Sequence, residues 1–424
     1  MRYGKPPHDA VGGCHMDLIL RNARLASDPG RLTDIGIAGG KFVALAPDLA
    51  AEAETLDLGG RLVSPGFVET HLHLDKACIL DRCRAEGDLG AAIREVTRLK
   101  AAFTAEDVYA RARRTLERCI LNGTTHVRAH LEVDPGIGLR GLEGVLPLVR
   151  EYAWAVDLEL CIFPQDGMLN NPGTEELMVA ALKRGGHLIG ACPYTDTNPH
   201  GQIDRVFALA REFGVDADFH VDFSDEPEHL PVREIVRQTV RAGWQGRVAV
   251  GHLTELAALH VDEQTKLIAE LAAARIGVIS LPLTDLYLMG RRDERNVRRG
   301  LAPIRRLLQA GVPVALASNN IRNPFTPIGT ADPAQLVFVG AVAAHMGTPD
   351  LMRALVDTIT THAARIMNLR DYGCSVGCRA DLVLWECERV EDIVMALPPR
   401  RLVVKGGRVT VEHERRTVQR WRLG

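Results

Sequence analysis

The sequence predicts an α/β fold: a (β/α)8 TIM barrel in the middle of the chain, with a small β-domain assembled from its two ends. Three observations carry this. Eight short apolar runs, most of them separated by amphipathic helical stretches, fill about 300 residues, the count and size of that barrel. Nearly every run ends in His, Asp, Gln or Asn, and in a closed barrel those edges converge on one mouth. Short strand patterns bracket the chain at both termini. A doubly wound open sheet is the competing arrangement, but no Gly-rich phosphate loop follows any strand.

Taken in order, residues 1–15 (MRYGKPPHDAVGGCH) contain no apolar core and are expected to be a flexible extension, not a secretory signal. A strand pattern starts at Met16. Residues 16–65 hold LILRNARLA, TDIGIAGGKFVALA and GRLVSPG, short runs broken by Gly, Asp and Pro. ADLVLWE and RLVVKGGRVT near the other end read the same way, so 16–65 and 370–424 are expected to share one β-domain. Between them, 66–369 carries the barrel runs GFVETHLHLD, THVRAHLEV, LELCIFPQ, HLIGACP, ADFHVD, RVAVGHL, IGVISLP and VPVALAS. AEDVYARARRTLERCILNG and PAQLVFVGAVAAHMG are two of the intervening helical patterns.

Composition narrows the function. Lys plus Arg (51) nearly balances Asp plus Glu (54), a net charge of −3, and without a basic run nucleic acid is not an expected partner. No apolar run is long enough to span a membrane. Nine scattered cysteines without a C-x-x-C pair point to a reduced, cytoplasmic protein. Cys374 and Cys378 could be half of a metal site, but no second pair completes one. Homo-oligomerisation stays open, since barrel enzymes of this size often assemble.

The chemistry concentrates at the run ends. His71 and His73 lie two apart on an extended strand and so project to one side, where two imidazoles can grip a cation such as zinc, iron or nickel. His220 ends the fifth run, His252 the sixth, and Asn319 with Asn320 the eighth. Four histidines from three strand ends converging on one mouth indicate a metal site.

Here the chain resembles the cytosine deaminase-like branch of the amidohydrolase superfamily. The likeness runs through PGFVETHLHLDKA (65–77), HVRAHLEV (126–133), FPQDGML (163–169), IGACPY (189–194), FHVDFSDE (219–226), VGHLTE (250–255), SLPLTDLYLMGR (280–291), RRGLAPI (298–304), SNNIRNPFTPIG (318–329) and THAARIMNLRDYG (361–373). The resemblance implies a distorted (β/α)8 barrel with a small β-sandwich formed by both termini. It implies one divalent metal ion, zinc or iron, on His71, His73 and His220, with Asn319 at the position of a metal-touching aspartate. It makes His252 the residue that contacts the metal-bound water and polarises the departing group, and Gln165 the one that hydrogen-bonds the amide face of the ring.

Two proton carriers of that branch are missing. Asn319 stands where the family has an aspartate that takes the water proton, and Phe223 where a glutamate protonates the ring nitrogen. Asparagine coordinates through oxygen but is no base near pH 7, and phenylalanine offers only packing area. Asn320 and Asn323 also fall where cytosine deaminases are acidic, so the mouth is less negative. His252 is the first candidate to shuttle protons, because an ordinary imidazole titrates near pH 6.5. Asp222, two residues past His220 and on its face if the strand continues, is the second, either moving a proton or orienting a ligand histidine.

The expected activity is metal-dependent hydrolysis, by metal-bound hydroxide, of a C–N bond of a small nitrogen heterocycle, in a deaminase or aminohydrolase. A metal that acidifies its water from about 15.7 to near 7 provides such a nucleophile. Two alternatives are a hydrolase of a cyclic amide or urea bond, which needs no ring-nitrogen acid, and a binding homologue that has lost turnover.

Overall fold

In the computed structural model, which describes residues 15–50, 52–84, 87–418 and 420, the first strand begins at Leu18. Most of the expected N-terminal extension lies outside the described residues. Strands β1 (Leu18–Leu25), β2 (Asp28–Ala38), β3 (Lys41–Ala46), β4 (Glu54–Asp57) and β5 (Leu62–Pro65) are followed by the eight strands of the barrel. These are β6 (Phe67–Leu72), β7 (Thr124–Glu132), β8 (Asp157–Phe163), β9 (Leu188–Ala191), β10 (Ala217–Val221), β11 (Val248–His252), β12 (Gly277–Ser280) and β13 (Val314–Leu316). β14 (Leu382–Trp385), β15 (Arg400–Lys405) and β16 (Arg408–Glu412) close the chain.

Two compact units result. Among the described residues, one holds those up to Pro65, Asp371–Arg389 and those from Pro399 onward; the other holds those of Gly66–Arg370 with Val390–Pro398. The first is the small β-sandwich unit, with strand order β16-β15-β14-β5-β1-β2-β3 and β4 beside β1. Its apolar cluster draws Leu20, Ala23, Ile35, Ile37 and Phe42 from the N-terminal strands and Leu382, Leu384, Leu402 and Val404 from the C-terminal ones. Neither end of the chain could bury those faces alone.

The second unit is the distorted barrel. Its eight strands run parallel in sequence order from β6 to β13. Closure rests on little: β13 has three residues, and the ring is completed past its end, by a bridge between Leu72 and Asn319. There Asn319 N donates to His71 O at 2.8 Å and His73 N donates to Asn319 O at 2.8 Å. Helices form where sequence predicts them. Thr104 accepts from Asp107 N to cap Ala105–Leu121, and Asp332 accepts from Ala334 N to cap Pro333–Ala343. No helix among the described residues is long and apolar enough to cross a membrane.

Candidate metal centre

β6 brings in His71 and, one residue past its end, His73; β10 brings in His220. The three rings meet. His71 Nε2 lies 2.9 Å from His220 Nε2, and His73 Nε2 lies 3.1 Å from it. All three side chains are buried, and their Nδ1 atoms have no hydrogen-bond partner. Burial first, and then the neighbouring imidazoles and the Lys76 ammonium, push these histidines well below their usual range. They are therefore neutral, with lone pairs available. Converging nitrogens at this spacing fit a divalent cation, since tetrahedral ligation at 2.0–2.1 Å puts nitrogens roughly 3.3 Å apart. Gly251 on β11 leaves room for the His71 ring: a Cβ there would sit 3.2 Å from His71 Cε1.

Sequence reasoning did not single out His130. Its ring stacks on His71, centroids 3.7 Å apart and planes 22° apart. Ligating atoms of His71, His130 and His220 do lie within 4.8 Å of one another. Near-parallel stacked rings, however, keep their in-plane lone pairs in separate, near-parallel planes, so His71 and His130 are poorly placed to share one ion. His130 instead belongs to a polar floor under the centre. Its Nε2 is 3.5 Å from Asp218 Oδ1, Arg128 donates to Asp218 Oδ2 at 2.8 Å, and Arg128 Nε donates to Glu159 at 2.7 Å. Burial pushes the Asp218 carboxyl up, but His130 and Arg128 outweigh it and the net shift is downward. Arg128, His130 and Glu132 recur at every second residue of β7, and that period was the available signal.

His252, the last residue of β11, borders the three rings, 5.7 Å from His220 and 6.2 Å from His71 between centroids. Its Nδ1 lies 2.8 Å from Asp285 Oδ1, which leaves Nε2 as the ring's other nitrogen. Burial pushes the Asp285 carboxyl up, while His252 and the Leu281 N–H pull the other way. Phe223 covers one face of His252 at 3.6 Å, tilted 15°. It also helps line a cavity of about 380 Å³ with Asp88, Met289 and Arg292. Asp285 escaped the sequence reading because it lies in the helix after β12, not at a strand end.

Amides line another side. Gln165 Oε1 accepts from Lys76 Nζ at 3.0 Å, and Gln165 Nε2 donates to Cys192 Sγ at 3.4 Å. Lys76 also donates to Glu132 at 2.5 Å, and Lys100 bridges Glu132, Asp134 and Asp166. Asn319 Oδ1 is buried without a partner. Asn320 Oδ1 accepts from Asn323 Nδ2 at 2.6 Å.

Asp222 departs from expectation. Sharing a face with His220 requires the strand to continue, but β10 ends at Val221 and Asp222 turns to φ 50°. Its Oδ1 accepts instead from Val232 N at 3.3 Å, at the start of the helix Val232–Ala242. Burial, with Glu255 nearby, pushes its carboxyl well up.

Comparisons with known proteins bear on this geometry. A sequence profile described as the amidohydrolase family matches residues 54–147 and 149–411. The chain is 31% identical over 386 residues to a pterin deaminase of Rhizobium rhizogenes, covering 89% of this chain and 87% of that one. It is 27% identical over 411 residues to the N-isopropylammelide isopropyl amidohydrolase of a Pseudomonas species, covering 94% and 98%. Among solved structures, 5-methylcytosine deaminase from Klebsiella pneumoniae, liganded with 5-fluorocytosine, superposes with a TM-score of 0.90 at 27% identity, covering 95% of this chain and 99% of that one.

Proposed function

The chain belongs to the amidohydrolase family, and from that premise we propose that its three converging histidines hold one divalent ion, zinc or iron, for hydrolysis of a C–N bond in a small nitrogen heterocycle. It is a hydrolase of non-peptide carbon–nitrogen bonds, the chemistry named for its deaminase and amidohydrolase relatives. The family is metal-dependent, and the observation that carries the assignment is the meeting of three buried Nε2 atoms, those of His71 and His73 lying 2.9 and 3.1 Å from that of His220. His71, His73 and His220 supply the nitrogens. The unpartnered Oδ1 of Asn319 supports a further oxygen donor. An ion held there supplies Lewis acidity, which brings the pKa of water from about 15.7 toward 7.

The remaining residues bind and move protons. His252 accepts the proton of the attacking water at Nε2 and returns it to the departing nitrogen, which leaves as ammonia or an amine. Asp285 positions it by fixing Nδ1 as the protonated nitrogen. Phe223 keeps water off the exposed face of that imidazole and holds it in plane. Gln165 orients the ring. Asp222 Oδ1 is engaged at the start of a helix, which supports giving proton transfer to His252 first. Free thiols at all eight described cysteines support a reducing, cytoplasmic setting.

A second reading, hydrolysis of a cyclic amide or urea bond, is favoured by one observation: at Phe223 there is no acid to protonate a ring nitrogen. Release of ammonia or amine should be measured across oxo-pyrimidines, triazines, pterins and cyclic ureas, with metal content determined on the same preparation. We expect release from at least one amino-substituted oxo-heterocycle. Ring opening without ammonia would favour the second reading. Metal-loaded protein inert on every ring would leave the turnover-deficient binding homologue.

A further inference from the structure

The helix Ala105–Leu121 carries four arginines, and its surroundings treat them in two ways. Arg111 pairs with Asp107 at 2.9 Å and Arg113 with Glu117 at 3.0 Å, each partner one turn away. Arg114 and Arg118 have no carboxylate at that spacing. They stand one turn from each other, where like charges repel. Among the described residues no carboxylate pairs with either of them, nor with Arg322 in the loop after β13. These three arginines line one cavity of about 510 Å³, together with Cys78, Leu80 and Asp81. A guanidinium does not lose its proton in a protein, so three positive charges face the one carboxylate of Asp81 and leave a surplus of two. None of these residues belongs to the metal centre.

The backbone holds this wall in place. Cys78 N donates to Ile321 O at 2.9 Å, and Ile79 N and Leu80 N donate to Arg322 O at 3.0 and 2.9 Å. The segment after β6 is thereby laced to the loop after β13. Cys78 and Arg322 both take the left-handed conformation, φ 56° and 52°, which side chains other than glycine seldom adopt. Cys78 Sγ lies 3.8 Å from Thr115 Oγ1, which sets the laced segments against the helix between Arg114 and Arg118. A fixed frame therefore gathers cations that would otherwise move apart.

We propose that this cavity is a binding site for a phosphate group, free or as the monoester of a small molecule. A phosphoryl dianion cancels the surplus of two charges, and its oxygens accept from guanidiniums that approach on two sides, from the helix and from the loop. A carboxylate brings half that charge, and a metal cation is repelled. The volume exceeds what one phosphate fills and leaves room for the organic part of an ester against Leu80. A ligand held here ties the helix to the seam where the barrel closes, because Arg322 follows Asn319 in the same loop.

The test is calorimetric titration of the metal-loaded protein with inorganic phosphate and with ribose 5-phosphate, at an ionic strength fixed with chloride, with acetate as the carboxylate control. We expect one saturable site per chain, and acetate at least about tenfold weaker. Tighter binding of the ester assigns the site to a phosphorylated metabolite, and equal binding assigns it to free phosphate. Arg118→Gln and Arg322→Gln should each weaken phosphate about tenfold, the effect of one lost charge-assisted hydrogen bond. Arg113→Gln, whose guanidinium is already paired with Glu117, should stay within about twofold. All three side chains reach solvent, so the substitutions leave the core intact. Phosphate bound at the metal would be indifferent to the loss of Arg118 and Arg322. Affinity unchanged in the double variant Arg118→Gln with Arg322→Gln therefore overturns the proposal. So does acetate that matches phosphate, or binding of both phosphate probes weaker than about 10 mM.

Discussion

Phe223 lies flat on His252, the rings 3.6 Å apart between centroids, and on the function proposed above it stands where a carboxylic acid would protonate a ring nitrogen. Proton transfer from a positioned side chain accounts for about 10²–10⁴ in rate. Restoring both missing carriers, Phe223→Glu with Asn319→Asp, should raise ammonia release from cytosine or isocytosine by about a hundredfold. Loss of metal without that gain would show that these two positions do not correspond to the family's acids. At this scale, what sequence revealed depended on where a residue sits on its strand. His71, His73, His220 and His252 stand at strand ends, where alternation and the barrel mouth make their placement readable. Asp222 misled because alternation stops where the strand stops, one residue earlier. His130 lies inside its strand and not at its end, where only the shared two-residue period with Arg128 and Glu132, all three buried, could have pointed to it.

β7 carries two fully buried charges, Arg128 and Glu132, into the barrel. Glu132 accepts from both Lys76 and Lys100, and although burial pushes its carboxyl up, the two ammonium groups outweigh it and hold it down at about 2. A carboxylate depressed from the usual 4.5 stabilises the fold fully above that pH, and the contribution drains away as pH falls toward 2. Glu132→Gln leaves two buried ammonium groups short of a partner and should cost about 3–5 kcal/mol at pH 7 in urea unfolding. The gap between variant and wild type should narrow between pH 4.5 and 2; a gap that is flat with pH would mean that the charge of Glu132 contributes nothing. The existence and order of such strands were legible from their apolar runs. Their ends were less so: β6 and β7 slip register twice, a distortion set by packing in the barrel and absent from any local pattern.

At the scale of the whole molecule, strand patterns at both termini foretold a unit built from the two ends, because each half carries an apolar face too small to bury itself. The return of Val390–Pro398 to the barrel unit had no such signal, being a short helix between two strands of the other unit. Every residue of the proposed metal centre falls within Gly66–Arg370, so on that proposal the chemistry belongs to one unit. Trp385 tests that division. It is wholly buried, and its Nε1 donates to Ser64 Oγ at 2.9 Å. Trp385→Ala should lose about 3–5 kcal/mol of stability in thermal unfolding. Metal content at 25 °C should stay at the wild-type level, and its disappearance there would contradict the separation.

The floor beneath His71 also constrains how this protein changes over generations. Stripping one partner from a buried ion pair is far more damaging than exchanging the whole group for apolar residues. Arg128, His130 and Asp218 therefore make an all-or-none set. Related chains should carry the three together or lose them together, and a lineage crossing between those states must pass through a weakened barrel or change several codons at once.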